Sequence, residues 1–432
     1  MTKIVFLQKK SDMINKEILA EVLRQNREMV ENMQVVKRDF LFYDHFRYVL
    51  VGARRAGKSF LLFQRMQELL ANGYSWDDML YLNFEDDRLL GFDVHDFDSI
   101  FAAHFCMNGN RPMLFLDEIQ NIDGWEKFAR RLADQKYTVY ITGSNAKMLS
   151  TDVATTLGGR YVVQNVFPYS FLEFATANHY TFDVDCQNIN AVEALLDDYV
   201  QHGGFPECAS LPGKKEYLLS VYQKIFLGDI ALRNKVENPN ILRLMFKKLA
   251  ESVKQPTALT RVANLITSAG VKVSKNTVIS YASYAKDAFL ILPMRNFADS
   301  FTQRETNQKF YFVDNGIIGL LTTDCRTSQL ENMVAVALLR KYGLDNNVFF
   351  YSHNVEVDFV VPEKKIAIQV CYSLGDDDSE TFVRESQALL KLDNRLAYNN
   401  LIIITYNDKE RRIDIGDKTI MVMPVWKWMS EI

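Results

Sequence analysis

Residues 48–59 read Y-V-L-V-G-A-R-R-A-G-K-S, from Tyr48 to Ser59. Tyr48, Val49, Leu50 and Val51 make a short, continuous apolar run of the kind found in strands buried on both faces. The run breaks at Gly52 into a loop, Gly52-Ala53-Arg54-Arg55-Ala56-Gly57. The loop ends on Lys58 and Ser59, ahead of an amphipathic helix carrying Phe60, Leu61, Leu62, Met66, Leu69 and Leu70. A G-x-x-x-x-G-K-S spacing between strand and helix turns backbone N–H groups toward one point at a helix N-terminus, where the dipole and the unpaired donors favour phosphate. Lys58 is then placed for the β- and γ-phosphates and the Ser59 hydroxyl for Mg2+. Gly52 through Phe60 are the residues expected against a nucleotide.

The partner chemistry lies further along. Residues 113–120, M-L-F-L-D-E-I-Q, form an apolar strand with Asp117 at its C-terminal end, where open α/β sheets bind ligands. Asp117 is expected to complete the Mg2+ site and Glu118 to orient and polarise the attacking water, since hydrolysis needs both a charge-neutralising metal and a positioned nucleophile. The next strand, Tyr137–Thr142, ends in Gly143-Ser144-Asn145, which makes Ser144 and Asn145 candidates to sense the γ-phosphate. Arg160 follows two glycines in L-G-G-R and is either a finger on a γ-phosphate, its own or a neighbour's, or a plain surface arginine. Met79–Phe84 reads as a further strand, and the acidic Glu85, Asp86 and Asp87 after it as a solvated loop.

Bulk properties bound the rest. A chain of 432 residues suggests about three domains. With 48% hydrophobic and 24% charged residues it has a globular composition, and a net charge of −4 does not announce nucleic acid. The five cysteines, Cys106, Cys186, Cys208, Cys325 and Cys371, show no C-x-x-C spacing, so neither a disulfide framework nor zinc is indicated and a reducing cytoplasm fits. The N-terminus lacks a signal peptide's apolar core and no stretch is long enough to span a membrane. Met13, Ile14, Ile18, Leu19, Val22, Leu23 and Met29 predict an amphipathic helix within 11–34. Residues 35–46 then lead into the phosphate strand, either walling the adenine or simply connecting.

The motifs together resemble a family. G-A-R-R-A-G-K-S, F-L-D-E-I-Q, I-T-G-S-N-A, L-G-G-R and F-P-Y-S-F-L-E-F are similar to the AAA+-type ATPases of the bacterial and archaeal group in which a C-terminal domain of unknown function follows the ATPase. G-G-F-P-E at Gly203–Glu207, F-V-D-N-G at Phe312–Gly316, L-E-N at Leu330–Asn332 and E-V-D-F-V at Glu356–Val360 extend the resemblance over nearly the whole chain. The family implies ATP and Mg2+, with Lys58 and Ser59 at the phosphates, Asp117 on the metal, Glu118 as the catalytic acidic residue and Arg160 as a finger candidate.

Beyond the ATPase, Gly203, Gly204 and Pro206 interrupt helical sequence from 199 to 240. Residues 241–297 read helix, turn, helix, with Ser274 as N-cap of the second helix and L-I-L-P-M-R as a wing strand. In this winged-helix pattern Lys272, Lys275, Asn276 and Thr277 stand at the front of the second helix, for DNA contact or for a lid or protein-docking role. The last region resembles the core of the restriction-nuclease-like superfamily. Asp358 matches its strand-end Asp and Glu331 its helix acid. Gln369 stands where the second carboxylate belongs and Cys371 where the lysine belongs. An amide is a poor Mg2+ ligand and a thiol carries no fixed positive charge, so cleavage is expected to be lost and Cys371 to be a buried strand residue. Asp376, Asp377 and Asp378 read as a solvated loop.

The expected architecture is therefore an α/β multidomain chain: an N-terminal helical segment (1–34), a P-loop parallel-sheet AAA+-like ATPase domain (35–198), a winged-helix middle (199–300) and a small α/β nuclease-like domain (301–432). The expected function is Mg2+-dependent hydrolysis of ATP to ADP, driving a conformational change coupled to double-stranded DNA or to a protein partner. The alternative is a nucleotide-switched DNA-binding or regulatory module. A homo-oligomer follows if Arg160 acts in trans, and a monomer suffices if it acts in cis.

Overall fold

The computed structural model describes residues 16–107, 109–181, 189–323, 325–344, 347–376 and 379–432. Met13 and Ile14 of the predicted first helix, Cys186, and Asp377 and Asp378 of the acidic run lie outside them. The chain divides into two compact units, one of the described residues up to Val51 with Lys58–Gln164, the other of Gly52–Gly57 with Asn165–Ile432.

The first unit is built on β1 (Tyr48–Val51), β2 (Met79–Asn83), β3 (Met113–Asp117), β4 (Val139–Gly143) and β5 (Val162–Asn165), ordered β2-β3-β4-β1-β5. The pairs β2 with β3, β3 with β4 and β4 with β1 are all parallel. All four residues of β1 and all five of β4 are buried, which is why these strands read as unbroken apolar runs rather than alternating ones. Burying each such aliphatic side chain is worth about 1.5–3 kcal/mol. Parallel pairing brings the C-terminal residues Val51, Asp117 and Gly143 to one edge of the sheet.

Around this sheet run α1 (Lys16–Glu31), α2 (Lys58–Ala71), α3 (Phe97–Met107), α4 (Trp125–Asp134) and α5 (Thr151–Leu157). Helix α1 buries Leu19, Val22, Leu23 and Val30 and packs on α3 and β2, while Ile18 and Met29 of its predicted apolar set stay exposed. The lead-in at 35–46 is pinned by Phe42, whose ring meets Tyr48 and Tyr140 edge-on at 5.2 and 5.6 Å. The acidic loop after β2 is solvated as expected, with Asp86 capping a short turn and pairing with Arg88.

The second unit begins with α6 (Phe171–Ala177), α7 (Ile189–His202) and α8 (Lys214–Gln223), and α8 continues as a π-helix over Lys224–Leu232. Then come α9 (Pro239–Glu251), β6 (Thr257–Ala258), α10 (Leu259–Ser268), α11 (Lys275–Asp287), β7 (Ile291–Met294), α12 (Phe301–Thr306) and β8 (Asn307–Phe312). Strands β6 and β7 both pair antiparallel with β8 to give the sheet β6-β8-β7. Ser274 caps α11 as predicted, its Oγ accepting from Thr277 N at 3.0 Å.

After α13 (Asn315–Leu321) and α14 (Arg326–Tyr342), a six-stranded sheet is formed by β9 (Phe349–Ser352), β10 (Glu356–Val361), β11 (Ile366–Val370), β12 (Asn400–Thr405), β13 (Arg411–Ile415) and β14 (Lys418–Pro424). Its order is β13-β14-β12-β11-β10-β9. Strands β11, β12 and β14 run parallel and the outer pairs antiparallel. Helix α15 (Glu380–Leu396) covers the sheet through Leu389 and Leu392, and α16 (Val425–Glu431) ends the chain. No helix among the described residues is long and apolar enough to cross a membrane.

Candidate functional site

The phosphate-loop sequence Gly52–Gly57 takes positive φ at Arg55, 64°, and at Gly57, 90°. Inside it Ala56 N–H donates to Ala53 O at 3.2 Å, and both alanines are buried. Gly52 is required by a close approach, because any Cβ there would collide with the carbonyl oxygen of Val166. The two arginines are engaged by carboxylates: Arg54 grips Asp229 of the π-helix with Nε at 3.0 Å and a second nitrogen at 3.3 Å, and Arg55 pairs with Glu207 at 2.9 Å. Asp229 is 4% exposed and also pairs with Arg233, at 3.2 Å.

At the C-terminal edge of the first unit's sheet, Lys58, Asp117 and Glu118 gather with almost no exposure, 4%, 0% and 8%. Lys58 Nζ lies 3.4 Å from Glu118 Oε1. Asp117 takes hydrogen bonds from Tyr81 OH, at 2.7 Å, from Thr142 Oγ1 and from the Ser59 hydroxyl. Burial and then the neighbouring Glu118 charge push the Asp117 carboxyl up, and those three hydrogen bonds pull against them. Glu118 itself sits in the left-handed region, φ 52° and ψ 41°, at a cost of about 1–2 kcal/mol for a side-chain-bearing residue. The turn is held by Glu118 N–H donating to Thr142 Oγ1 at 2.9 Å. Two buried carboxylates against one lysine leave excess negative charge, and Ser59 with Asp117 supplies the hard oxygen donors that Mg2+ takes. The residues present fit that ion.

Ser144 stands next to this group, 1% exposed, and accepts from Gln120 Nε2 at 3.3 Å. Asn145 is turned to another task, its Oδ1 capping the following turn through Lys147 N at 2.8 Å. Phe60 is half-exposed and its ring lies 5.4 Å from that of Phe63. Arg160 is held by Asp134 at 2.7 Å and by the carbonyls of Leu157 and Gly158. Near the start of α11, Lys272, Lys275 and Asn276 are exposed, whereas Thr277 is drawn into the cap by Ser274.

In the C-terminal region the structure brings Glu331 and Asp358 together and supplies the cation their sequence positions lacked. Lys309, from β8 and wholly buried, places Nζ 3.1 Å from Glu331 and 3.3 Å from Asp358. Tyr311 OH adds a hydrogen bond to Glu331 at 2.9 Å. Cys371 leaves the pattern's lysine position uncharged, as expected, and the positive charge comes instead from a strand some 60 positions away. Burial works against its charge, but Glu331 and Asp358 hold its pKa above the ordinary value. Gln369 is structural, accepting from Asp358 N at 2.8 Å and donating to Glu356 O at 3.0 Å. Cys371 lies one residue past β11 and is half-buried rather than a buried strand residue, its thiol pushed up to about 12 by burial.

The downstream motifs brace one another. Asp314 of F-V-D-N-G accepts from Gly204 N at 2.6 Å and from Gly316 N at 2.8 Å, joining it to G-G-F-P-E. Asn332 of L-E-N bonds to Phe312 N and O. Arg340 reaches Glu173 at 2.9 Å and the Pro168 carbonyl, both in F-P-Y-S-F-L-E-F. Lys309, Tyr81 and Asp229 lie outside the quoted motifs, and Gln120 and Thr142 lie inside F-L-D-E-I-Q and I-T-G-S-N-A without a role having been read for them. Only their place on strands or turns that meet the charged residues could have singled them out.

A family model described as an AAA domain matches residues 45–175, and one described as a domain of unknown function (DUF8612) matches 193–327. An uncharacterized protein of Methanocaldococcus jannaschii is 33% identical over 434 aligned positions, spanning 97% of this chain and 96% of its own length. An uncharacterized protein of Haemophilus influenzae is 33% identical over 348, spanning 78% and 85%. Among solved structures, the Walker-type ATPase of Pyrococcus abyssi covers 72% of this chain and 97% of its own at 13% identity, with a TM-score of 0.40. The AAA match takes in both the phosphate loop and the F-L-D-E-I-Q strand, and the archaeal likeness extends over nearly all of the sequence, so the chain belongs to the AAA-type ATPase family that includes these archaeal and bacterial relatives.

Proposed function

We propose that the chain binds ATP with Mg2+ and hydrolyses it to ADP and phosphate, using turnover to drive a conformational change. The observation that carries this reading is the buried group of Lys58, Asp117 and Glu118, with Lys58 directly following the G-x-x-x-x-G sequence. The loop N–H groups and Lys58 would hold the β- and γ-phosphates, and Ser59 and Asp117 would hold the metal. Mg2+, when bound, neutralises phosphate charge and fixes the phosphate oxygens. Lys58, drawn to phosphate, releases Glu118 Oε1 to accept a proton from the attacking water. The water oxygen bonds to the γ-phosphorus as the bond to the bridging oxygen breaks, ADP leaves with that electron pair, and the proton passes to the products.

Duplex DNA is the partner the charge distribution favours. Residues 239–295 carry nine Lys or Arg against two Asp or Glu in a chain of net charge −4. The order helix, strand, helix, helix, strand, followed by the short α12 and the strand β8 that completes the sheet β6-β8-β7, supports the winged-helix reading of residues 239–312. Steady-state hydrolysis by wild type and Glu118→Gln, with and without duplex DNA, tests both parts. The expected result is turnover stimulated by DNA in the wild type, and retained ATP binding with kcat about 100-fold lower in the variant. Turnover indifferent to DNA points to a protein partner, and tight binding with no wild-type turnover to a nucleotide-gated switch.

A further inference from the structure

Both oxygens of the Glu118 carboxylate are occupied. Lys58 Nζ stands 3.4 Å from Oε1, and Gln120 Nε2 donates to Oε2 at 2.5 Å. The same amide reaches Ser144 Oγ at 3.3 Å, just past the end of β4. Local backbone makes this possible: Glu118 in the left-handed region starts a short turn over Ile119–Asn121, and the turn folds Gln120 back onto the carboxylate two residues before it.

The other end of the Gln120 amide is not satisfied. Its Oε1 is buried and makes no hydrogen bond among the described residues. It lies 2.5 Å from where a Cβ at Gly143 would stand, with Met148 Sδ nearer still, so the glycine at the end of β4 leaves room for both side chains. A buried acceptor without a partner opposes folding, and such groups collect where a site needs them. The Gln120 conformation is therefore accounted for by what Nε2 does for Glu118 and Ser144.

We infer that Gln120 is a positioning residue for the hydrolysis proposed above, on which this role rests. Its amide fixes Glu118 Oε2 and ties it to Ser144. When Lys58 turns to phosphate, Oε1 loses that ion pair while Oε2 stays held, leaving Oε1 aimed to accept from the attacking water. The carboxylate then need not search its rotamers at each turnover, and a small misalignment of such a group is enough to lower the rate strongly.

The experiment uses the full chain as wild type, Gln120→Ala and Gln120→Glu, measuring fluorescent ATP-analogue affinity and kcat against pH. Gln120→Ala is expected to bind the analogue with wild-type affinity and to lose about 10- to 100-fold in kcat. Gln120→Glu sets a second carboxyl beside Glu118. The pair then shares one proton over an upshifted range, so the carboxylate that accepts the water's proton forms only at higher pH and the kcat optimum moves to higher pH than the wild type's. Purely structural support would not produce that shift. Wild-type kcat in Gln120→Ala, loss of analogue binding with kcat unchanged at saturation, or an unmoved pH profile in Gln120→Glu each overturns the role while leaving ATP hydrolysis standing. A wild-type chain that binds the analogue and never turns over ATP removes the hydrolytic reading itself, and this role with it.

Discussion

Replacing Lys309 with methionine tests the account of the C-terminal charge cluster. The substitution keeps an unbranched side chain one atom shorter and removes a charge that is fully buried between Glu331, 3% exposed, and Asp358. At an effective dielectric of about 20, attractions at 3.1 and 3.3 Å are each worth about 5 kcal/mol. Desolvation of the ammonium offsets much of this, and breaking a buried pair from one side costs about 3–5 kcal/mol net. The pH dependence follows from Glu331, whose carboxyl is already pushed up to about 7 by burial and by Asp358 while Lys309 opposes the shift. Without Lys309 it rises further. A folded-state pKa above the unfolded one stabilises at low pH and loses that contribution as pH rises through the folded value. The deficit of Lys309→Met should therefore be smallest near the ordinary carboxylate range and grow through neutrality into alkaline pH. Urea unfolding followed by circular dichroism, repeated across pH, reads this directly. Lys309→Met with Glu331→Gln should recover most of the loss, since no unpaired buried charge then remains at position 331. A single variant that unfolds with the wild type at alkaline pH, or whose deficit is independent of pH, would refute the reasoning.

Gly203 has φ 75°, and a Cβ there would collide with Asp314 Oδ1, the oxygen that also holds Gly316 N. Gly203→Ala should cost more than about 3 kcal/mol, while Gly159→Ala, at φ 69° with open space around it, should cost only about 1–2 kcal/mol by the same urea assay; equal losses would remove the bracing role of Asp314. Asp229→Asn loosens the two-pronged grip on Arg54 and should weaken ATP-analogue binding about 3- to 10-fold, because ordering the loop is then charged to binding. Wild-type affinity in a fluorescence titration would leave that pair as a structural tie only.

Much of the first unit was legible because its chemistry is local in sequence. The runs Tyr48–Val51, Met79–Phe84, Met113–Leu116 and Tyr137–Thr142 are buried on both faces, and their apolar continuity states as much. Ser274 was legible as a cap because its partner is three residues away. Strands β13 and β14 were not read. The first alternates half-buried and exposed residues with three charges in five, and it is a strand only because β14 pairs with it. The π-helix over Lys224–Leu232 likewise has no signature in an apolar run.

Local sequence was enough for the phosphate-loop spacing, the position of Asp117 and Glu118 at a strand end, and the helix, turn, helix and strand of α10, α11 and β7, because each depends on neighbours a few residues apart. Tertiary structure alone decided that Lys309 occupies the space between Glu331 and Asp358, that Gln120 holds Glu118, and that Arg54 is gripped by Asp229. Lys309 and Arg54 meet partners on different elements, Arg54 across 175 positions, and Gln120 meets its own only through a left-handed turn. Buried charge is costly unless paired, so the fold must supply a partner, but the identity of that partner is set by which surfaces meet and leaves no local pattern to read.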